Sequence, residues 1–322
     1  MNRRALIATP LFALATPQVV RAQDSYPSRS ISVLTGYAPG GVTDATSRVV
    51  SQRMERELGQ TLVVENRPGG ATALASTQVA QARPDGYALL MGTSTLAINP
   101  SLQPSLTPRE PMRELVAIGM VFKTPFVLHV HPSLPVNSVA ELIAYARANP
   151  GSVNIGSSGT GAVNHLCLEM FKQQARIDMT HVPYRGGAPA LLDLQAGRIQ
   201  AMFAAVLEAL PSVRDGRTRG LGISSLTRIA VLPELPPVAD TLPGFEGVFW
   251  QGLFAPAGTP QPILTRLGTA LAAATSDPAL IARMAEQGVE LVTGDAAMLR
   301  RTLAEDTERW SRVVREGNIR PE

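Results

Sequence analysis

The feature that most restricts the fold is a device the chain repeats: a short β-prone run, a turn of glycine and small hydroxylic residues, then an amphipathic helix. Its first copy opens with Ile31 to Thr35 (ISVLT), turns through Tyr37 to Asp44 (YAPGGVTD), and continues with Val50, Met54 and Leu58 until Gly59 stops the pattern. β-Branched residues in a short run give strand character, and apolar residues every four positions with a closing glycine give a helix. A helix begins with backbone N–H groups that have no partner inside it, and its dipole places partial positive charge there. An anion is therefore welcome at such a turn. Gly40 and Gly41 leave the approach open, Pro39 fixes the path of the chain, and Thr43 or Asp44 can cap the N–H groups a ligand leaves free. Many such turns contain glycine only to redirect the chain, so the weight falls on repetition.

The device recurs. Thr61 to Glu65 predicts a second strand, followed by Asn66-Arg67-Pro68-Gly69-Gly70 and a helix from Ala71 to Ala82, and Tyr87 to Met91 predicts a third strand ending in Gly92-Thr93-Ser94. Further on, Val153 to Gly156 leads into Ser157-Ser158-Gly159-Thr160-Gly161 and a helix carrying Val163, Leu166, Cys167 and Met170. Met179 to Tyr184 then leads into Arg185-Gly186-Gly187 and a helix from Ala188 to Ala196. Ile199 to Phe203 and Leu221 to Ser224 read as further strands. Asn99 to Pro111 reads as a surface connection, and Leu115 to Val130 as a long apolar passage interrupted at Lys123-Thr124-Pro125. That passage leaves one domain for another, and Phe249 to Ala255 returns before helices over 262–274, 278–286 and 296–315. Strand–helix alternation predicts an α/β fold of two domains, residues 23–122 with 248–322 and residues 123–247. Each is a mostly parallel sheet flanked by helices, with ligands at the strand ends in the cleft between them.

Met1 to Ala22 has Arg3 and Arg4, an apolar stretch to Val20 and a small-x-small exit, which predicts a cleaved secretory signal and a periplasmic mature protein. The route, Sec or twin-arginine, stays open. That segment holds three of the 29 basic residues and no acids, leaving 26 basic residues against 26 acidic ones. Near-neutral charge removes the compositional case for nucleic acid or an anionic membrane. Cys167, the single cysteine, falls in an apolar helical stripe and reads as a small buried hydrophobe.

Enzyme chemistry finds little support. The Ser157 to Gly161 turn lacks the lysine of a P-loop and is not a G-x-S-x-G elbow. His165 lies seven residues beyond Ser158, about 10 Å along a helix and beyond the reach of a base. A triad would need His129, His131 or His181 from elsewhere, which leaves an exported α/β hydrolase as the enzyme alternative. His129 and His131 share one side of a strand and could hold a metal, but no accompanying ligand motif is present, so neither metal nor cofactor is expected. YAPGGVTD is also not a dinucleotide fingerprint; Glu65 is the nearest acid for a ribose. Arg185 reads either as a bidentate carboxylate clamp or as a surface brace.

Six blocks in order, YAPGGVTD, ENRPGGA, PDGYALLMGTS, NIGSSGTGAVNHL, HVPYRGGAPALLDLQAG and GLFAPAGTP, resemble the Bug (TctC-like) extracytoplasmic solute receptors of tripartite tricarboxylate transporters. The resemblance runs from Tyr26 to Glu316. It implies a type II-like two-domain periplasmic binding protein, a monomer that closes on a small mono- or dicarboxylate and delivers it to integral-membrane transporter subunits. A metabolite sensor serving a membrane kinase is the other role it allows. It also implies a ligand site at Tyr37, Pro39, Gly40, Gly41, Thr43 and Asp44, at Ser157, Ser158, Gly159, Thr160 and Gly161, and at Tyr184, Arg185, Gly186 and Gly187, with Thr93, Ser94 and Ala204 contributing. Two departures stand out. Where many members carry an acidic or amide residue after the strand over 199–203, this chain has Ala204 and Ala205, which favours a carboxylate without an amine. Asn164 stands where a small hydroxylic residue is frequent.

Overall fold

The computed structural model describes residues 26–320, so the expected export signal at Met1 to Ala22 lies outside the described residues. In chain order the elements begin with β1 (Ile31–Thr35), α1 (Val42–Leu58), β2 (Leu62–Asn66), α2 (Ala73–Ala80), β3 (Ala88–Thr93), α3 (Thr95–Leu102), α4 (Pro111–Glu114) and β4 (Leu115–Val130). Next come α5 (Val139–Ala148), β5 (Asn154–Ser157), α6 (Val163–Ala175), β6 (Thr180–Pro183), α7 (Gly187–Gln195), β7 (Ala201–Ala205), α8 (Val206–Arg214) and β8 (Arg219–Ile223). The chain then runs through β9 (Val248–Pro256), α9 (Gln261–Thr275), α10 (Pro278–Ala285), β10 (Glu290–Asp295) and α11 (Ala296–Glu316).

The expected α/β architecture forms. β1 pairs in parallel with β2 and β3, and β5 pairs in parallel with β6 and β7. Each ladder has its crossovers in helices, as parallel strands require. Between these parallel wings lie β9 and β4, antiparallel to each other and to the strands beside them, in the order β2-β1-β3-β9-β4-β7-β5-β6. β4 is the strand common to both wings. Its residues from Leu115 to Pro125 lie on β9, and those from Phe126 to Val130 lie on β7 and β8.

The interruption predicted at Lys123-Thr124-Pro125 is not a break in β4 but the place where its partners change. Pro125 has no N–H to give a ladder, and at Phe126 the N–H is taken by Ser224 Oγ at 2.7 Å. The predicted surface connection starts later than expected, because Thr95 to Leu102 form α3, with Leu96, Ile98 and Leu102 buried. A short helix that is apolar all round and contains Pro100 carries no periodic signal. α8, with Pro211 inside it, and β10, a strand with much of its surface exposed, were likewise not legible as periodic runs. Cys167 is fully buried as expected; burial pushes its thiol pKa up, and a Cβ on Gly247 would lie 2.2 Å from its sulfur. Among the described residues no helix is long and apolar enough to cross a membrane.

One buried polar side chain fixes α1 to the centre of the sheet. Gln251 of β9 is fully buried; its Nε2 donates to Thr43 O at 3.2 Å and Ser47 Oγ at 2.9 Å, and its Oε1 accepts from Thr46 Oγ1 at 2.6 Å. These bonds set where the first turn of α1 points. Gln251→Ala leaves buried polar groups on α1 without this partner, and is expected to lower unfolding stability by about 2–3 kcal/mol, measured as a urea midpoint. An unchanged midpoint would contradict the anchoring role.

Candidate functional site

The first turns of α1, α6, α7 and α8 converge. Their N-cap residues, Gly41, Ala162, Gly186 and Ala205, all line one inner cavity of about 30 Å³, and none offers a side-chain cap. That volume is room for a water or two. Each helix start carries partial positive charge of roughly half a unit and N–H groups seeking acceptors, so four of them together form an anion-attracting centre. The expected caps on α1 do not form. Asp44 turns back instead, its Oδ2 accepting from Gly40 N–H at 3.1 Å and its Oδ1 from Arg48 Nε at 3.0 Å. Burial works to raise the Asp44 pKa, but Arg48, the Gly40 N–H and Asn66 together hold it below the usual range.

The acceptor that does reach α1 comes from a residue with no motif to announce it. Glu208, in the first turn of α8, accepts from Val42 N–H at 3.0 Å through Oε1. Burial raises its pKa, and the Val42 N–H works against that shift. Tyr37 closes another side of the cavity; its hydroxyl lies 2.7 Å from Thr95 Oγ1, and burial pushes its pKa up.

The Ser157 to Gly161 turn is largely satisfied from within. Ser158 N–H donates to Asn164 Oδ1 at 3.2 Å, Gly159 N–H to Ser157 Oγ at 3.1 Å, and Gly161 N–H to His165 Nδ1 at 3.2 Å. Asn164 has a structural reason to differ from a small hydroxylic residue: its Nδ2 also donates to Ser158 Oγ at 3.0 Å and to Phe203 O at 3.1 Å. Ser158, whose Oγ accepts from Asn164, lines the cavity. Ser157 Oγ sits 2.6 Å from His181 Nε2, a serine–histidine contact one residue away from the serine considered as a nucleophile. Ser157 is fully buried and is also the acceptor for Gly159, so its hydroxyl serves the turn. His165 stacks on His181 at 4.1 Å between ring centroids.

An outer cavity of about 510 Å³ opens from the same place, sharing Tyr37, Ser158 and Ala162 and adding Gly69, Gly70, Thr72, Gly159, Thr160, Tyr184 and Arg185. The structure thus brings together Tyr37, Gly41, Thr43, Ser158, Gly159, Thr160, Tyr184, Arg185, Gly186 and Gly187 from the sequence-predicted site. Among the described residues the other candidates stand outside both linings. Pro39 and Gly40 are exposed, Asp44 braces the α1 turn, and Gly161 is engaged with His165. Thr93 is buried in β3; Ser94 is buried too, its Oγ accepting from Trp250 N–H at 3.0 Å. Ala204 is fully buried in the β7 ladder opposite Val127. Residues outside the predicted set are Asn164, Glu208, Phe126, Phe249 and the Gly69 to Thr72 segment. Arg67-Pro-Gly-Gly-Ala-Thr-Ala-Leu74 and Arg185-Gly-Gly-Ala-Pro-Ala-Leu191 resemble each other in sequence, which is the signal available for the last of these. His129 and His131, the metal option, turn to Thr218 Oγ1 at 3.0 Å and Ser133 Oγ at 2.7 Å.

Residues 46–319 match the family described as tripartite tricarboxylate transporter family receptor, TctC. The chain belongs to this family. Among solved structures this TctC-family chain is similar to the periplasmic binding protein BugD, with 30% identity and a TM-score of 0.87 over 92% of this chain and 100% of that one. An R. palustris protein solved with adipate is 32% identical, with a TM-score of 0.88 over 92% and 100% of the two chains. MatC from Rhodopseudomonas palustris, solved with bound malate, is 30% identical, with a TM-score of 0.86 over 90% and 100%.

The histidine stack gives this TctC-family site a pH dependence. Burial first, then the charges of His181 and Lys172, lower the His165 pKa from 6.5 to about 3, and burial does the same to His129. Below pH 6.5 the unfolded chain binds protons that the folded chain refuses, so this stability is full above 6.5 and is lost as pH falls toward 3. The slope is up to about 1.4 kcal/mol per pH unit per histidine. Urea midpoints between pH 7.5 and 4.5 should fall, and fall less steeply in His165→Gln; equal slopes for the two proteins would contradict the assignment.

Proposed function

We propose that this chain is an exported receptor that captures a small organic acid between two lobes and delivers it to the membrane subunits of a tripartite transporter. The lobes are residues 23–122 with 248–322 and residues 123–247, linked by β4 and β9. The observation that carries the reading is the convergence of uncapped helix entrances: α1 comes from one lobe, and α6, α7 and α8 come from the other. Closing the lobes brings backbone N–H groups from both sides onto the ligand, so the closed state is favoured by the acid itself. The inner cavity of about 30 Å³ is too small for a ligand of several heavy atoms, so such a ligand also occupies the outer cavity of about 510 Å³, and the lobes close around it. Family membership and the two dicarboxylate-bound neighbours support the ligand class. The export signal at Met1 to Ala22 supports a periplasmic location. Binding without turnover fits a site in which Ser157, the serine that meets His181, is fully buried and accepts from Gly159 in its own turn.

Isothermal titration of the chain from Gln23 onward, unfolded and refolded to remove carried ligand, tests this against mono-, di- and tricarboxylates. One-to-one binding of an acid without product is expected; product from an ester or amide without acid binding would overturn the reading. Gly41→Val should weaken binding by about a hundredfold or more, because the added methyls fill the inner cavity. Gly41 has an extended backbone, φ −83° and ψ 175°, so the strain falls on Glu208, whose Oε1 would lie 2.9 Å from the new Cβ, and the variant should still unfold cooperatively at a lowered melting temperature. Retained affinity in this variant would place the ligand elsewhere.

A further inference from the structure

The inner cavity already holds a carboxylate. Glu208 Oε1 accepts from Val42 N–H at the start of α1, and a Cβ on Gly187 at the start of α7 would lie 2.2 Å from Oε2. A Cβ on Gly41 would lie 2.9 Å from Oε1. The carboxylate thus fits between two helix entrances because both present glycine to it. Among the described residues its hydrogen bond comes from Val42, and no Lys, Arg or His lies within ion-pair distance. The wall beside it includes Phe126 and Phe249, whose ring centroids are 6.1 Å apart, and Ala205.

We propose that Glu208 sets the ligand class: the receptor takes an organic acid with a single carboxylate, whose other end donates a hydrogen bond to Glu208. Resting on the organic-acid reading above, this narrows it to hydroxy acids and amino acids. The ligand carboxylate lies where the two cavities join, at the start of α6 beside the Ser158 hydroxyl and toward Thr160 and Arg185, and the donor end points to Glu208. A hydroxyl or ammonium there completes the hydrogen bonding of Glu208, and an ammonium also meets the faces of the two phenylalanines. A second carboxylate would instead be desolvated beside a like charge with no counter-ion. The helix ends suit this arrangement. Each carries partial positive charge, and the carboxylates of Glu208 and of the ligand are the two acidic groups set among them. On this proposal the acid missing at Ala204 and Ala205 is replaced from the next element, which would admit the amine that those alanines disfavour.

Two matched sets test the proposal by isothermal titration of the chain from Gln23 onward: adipate, 6-hydroxyhexanoate and 6-aminohexanoate, and succinate, 4-hydroxybutyrate and 4-aminobutyrate. Within a set that binds, the hydroxy or amino member should be favoured over the dicarboxylate by about tenfold or more, and Glu208→Gln should reverse that order. A dicarboxylate that binds the unaltered protein as tightly as its hydroxy and amino counterparts overturns the proposal and leaves the organic-acid receptor standing. The ranking in the unaltered protein decides the matter even if the variant does not fold. If tricarboxylates and simple monocarboxylates also fail to bind, both readings fall together.

Discussion

Four helix starts facing one another across a water-sized cavity repel unless something negative sits among them. Their partial charges are of one sign, and the N–H groups of each first turn need acceptors from outside the helix. None of the four is relieved by its own N-cap side chain, since Gly41, Ala162, Gly186 and Ala205 have nothing to offer. The structure relieves α1 through Glu208 from α8, and the turn before α6 through Ser157, Asn164 and His165. The first turns of α7 and α8 carry no side-chain cap at their N-cap residues.

The rest of the fold holds those helix starts in place. Parallel strands put each turn at a strand end, the crossovers of β4 and β9 bring the two wings together, and Gln251 ties α1 to the strand it must not slide along. The glycines act by what they omit. At Gly187 and Gly41 a side chain would collide with Glu208, so the same residues that open the helix starts also admit the carboxylate.

Much of this was legible in the sequence because it rests on local rules. Ile31 to Thr35 forms the strand its β-branched residues predict, and the turns at Gly41, Ser158 and Gly187 reach one cavity as their repetition suggested. Those signals are short-range: propensity, spacing and turn chemistry. What was not legible depends on where distant elements meet. Nothing near Glu208 marks it, since an acid in the first turn of a helix is ordinary; it reaches the cavity because the start of α8 lies within hydrogen-bond distance of Val42 at the start of α1. Asp44 looked like a cap and is drawn away by Arg48 and the Gly40 N–H, and Ser157 looked like a ligand contact and is claimed by His181 and Gly159. β4 was expected to be interrupted at a proline and runs on, because the partner strand, not the proline, decides where a ladder changes.

The central claim is that ligand is held by helix starts from both sides of the cleft at once. The most direct measurement is amide hydrogen exchange across peptides covering 37–46, 157–164 and 184–190, with and without an acid that binds. The account predicts that protection rises in all three together on binding, because each contributes to one closed cavity. Protection confined to one of them, or appearing only elsewhere in the chain, would contradict it.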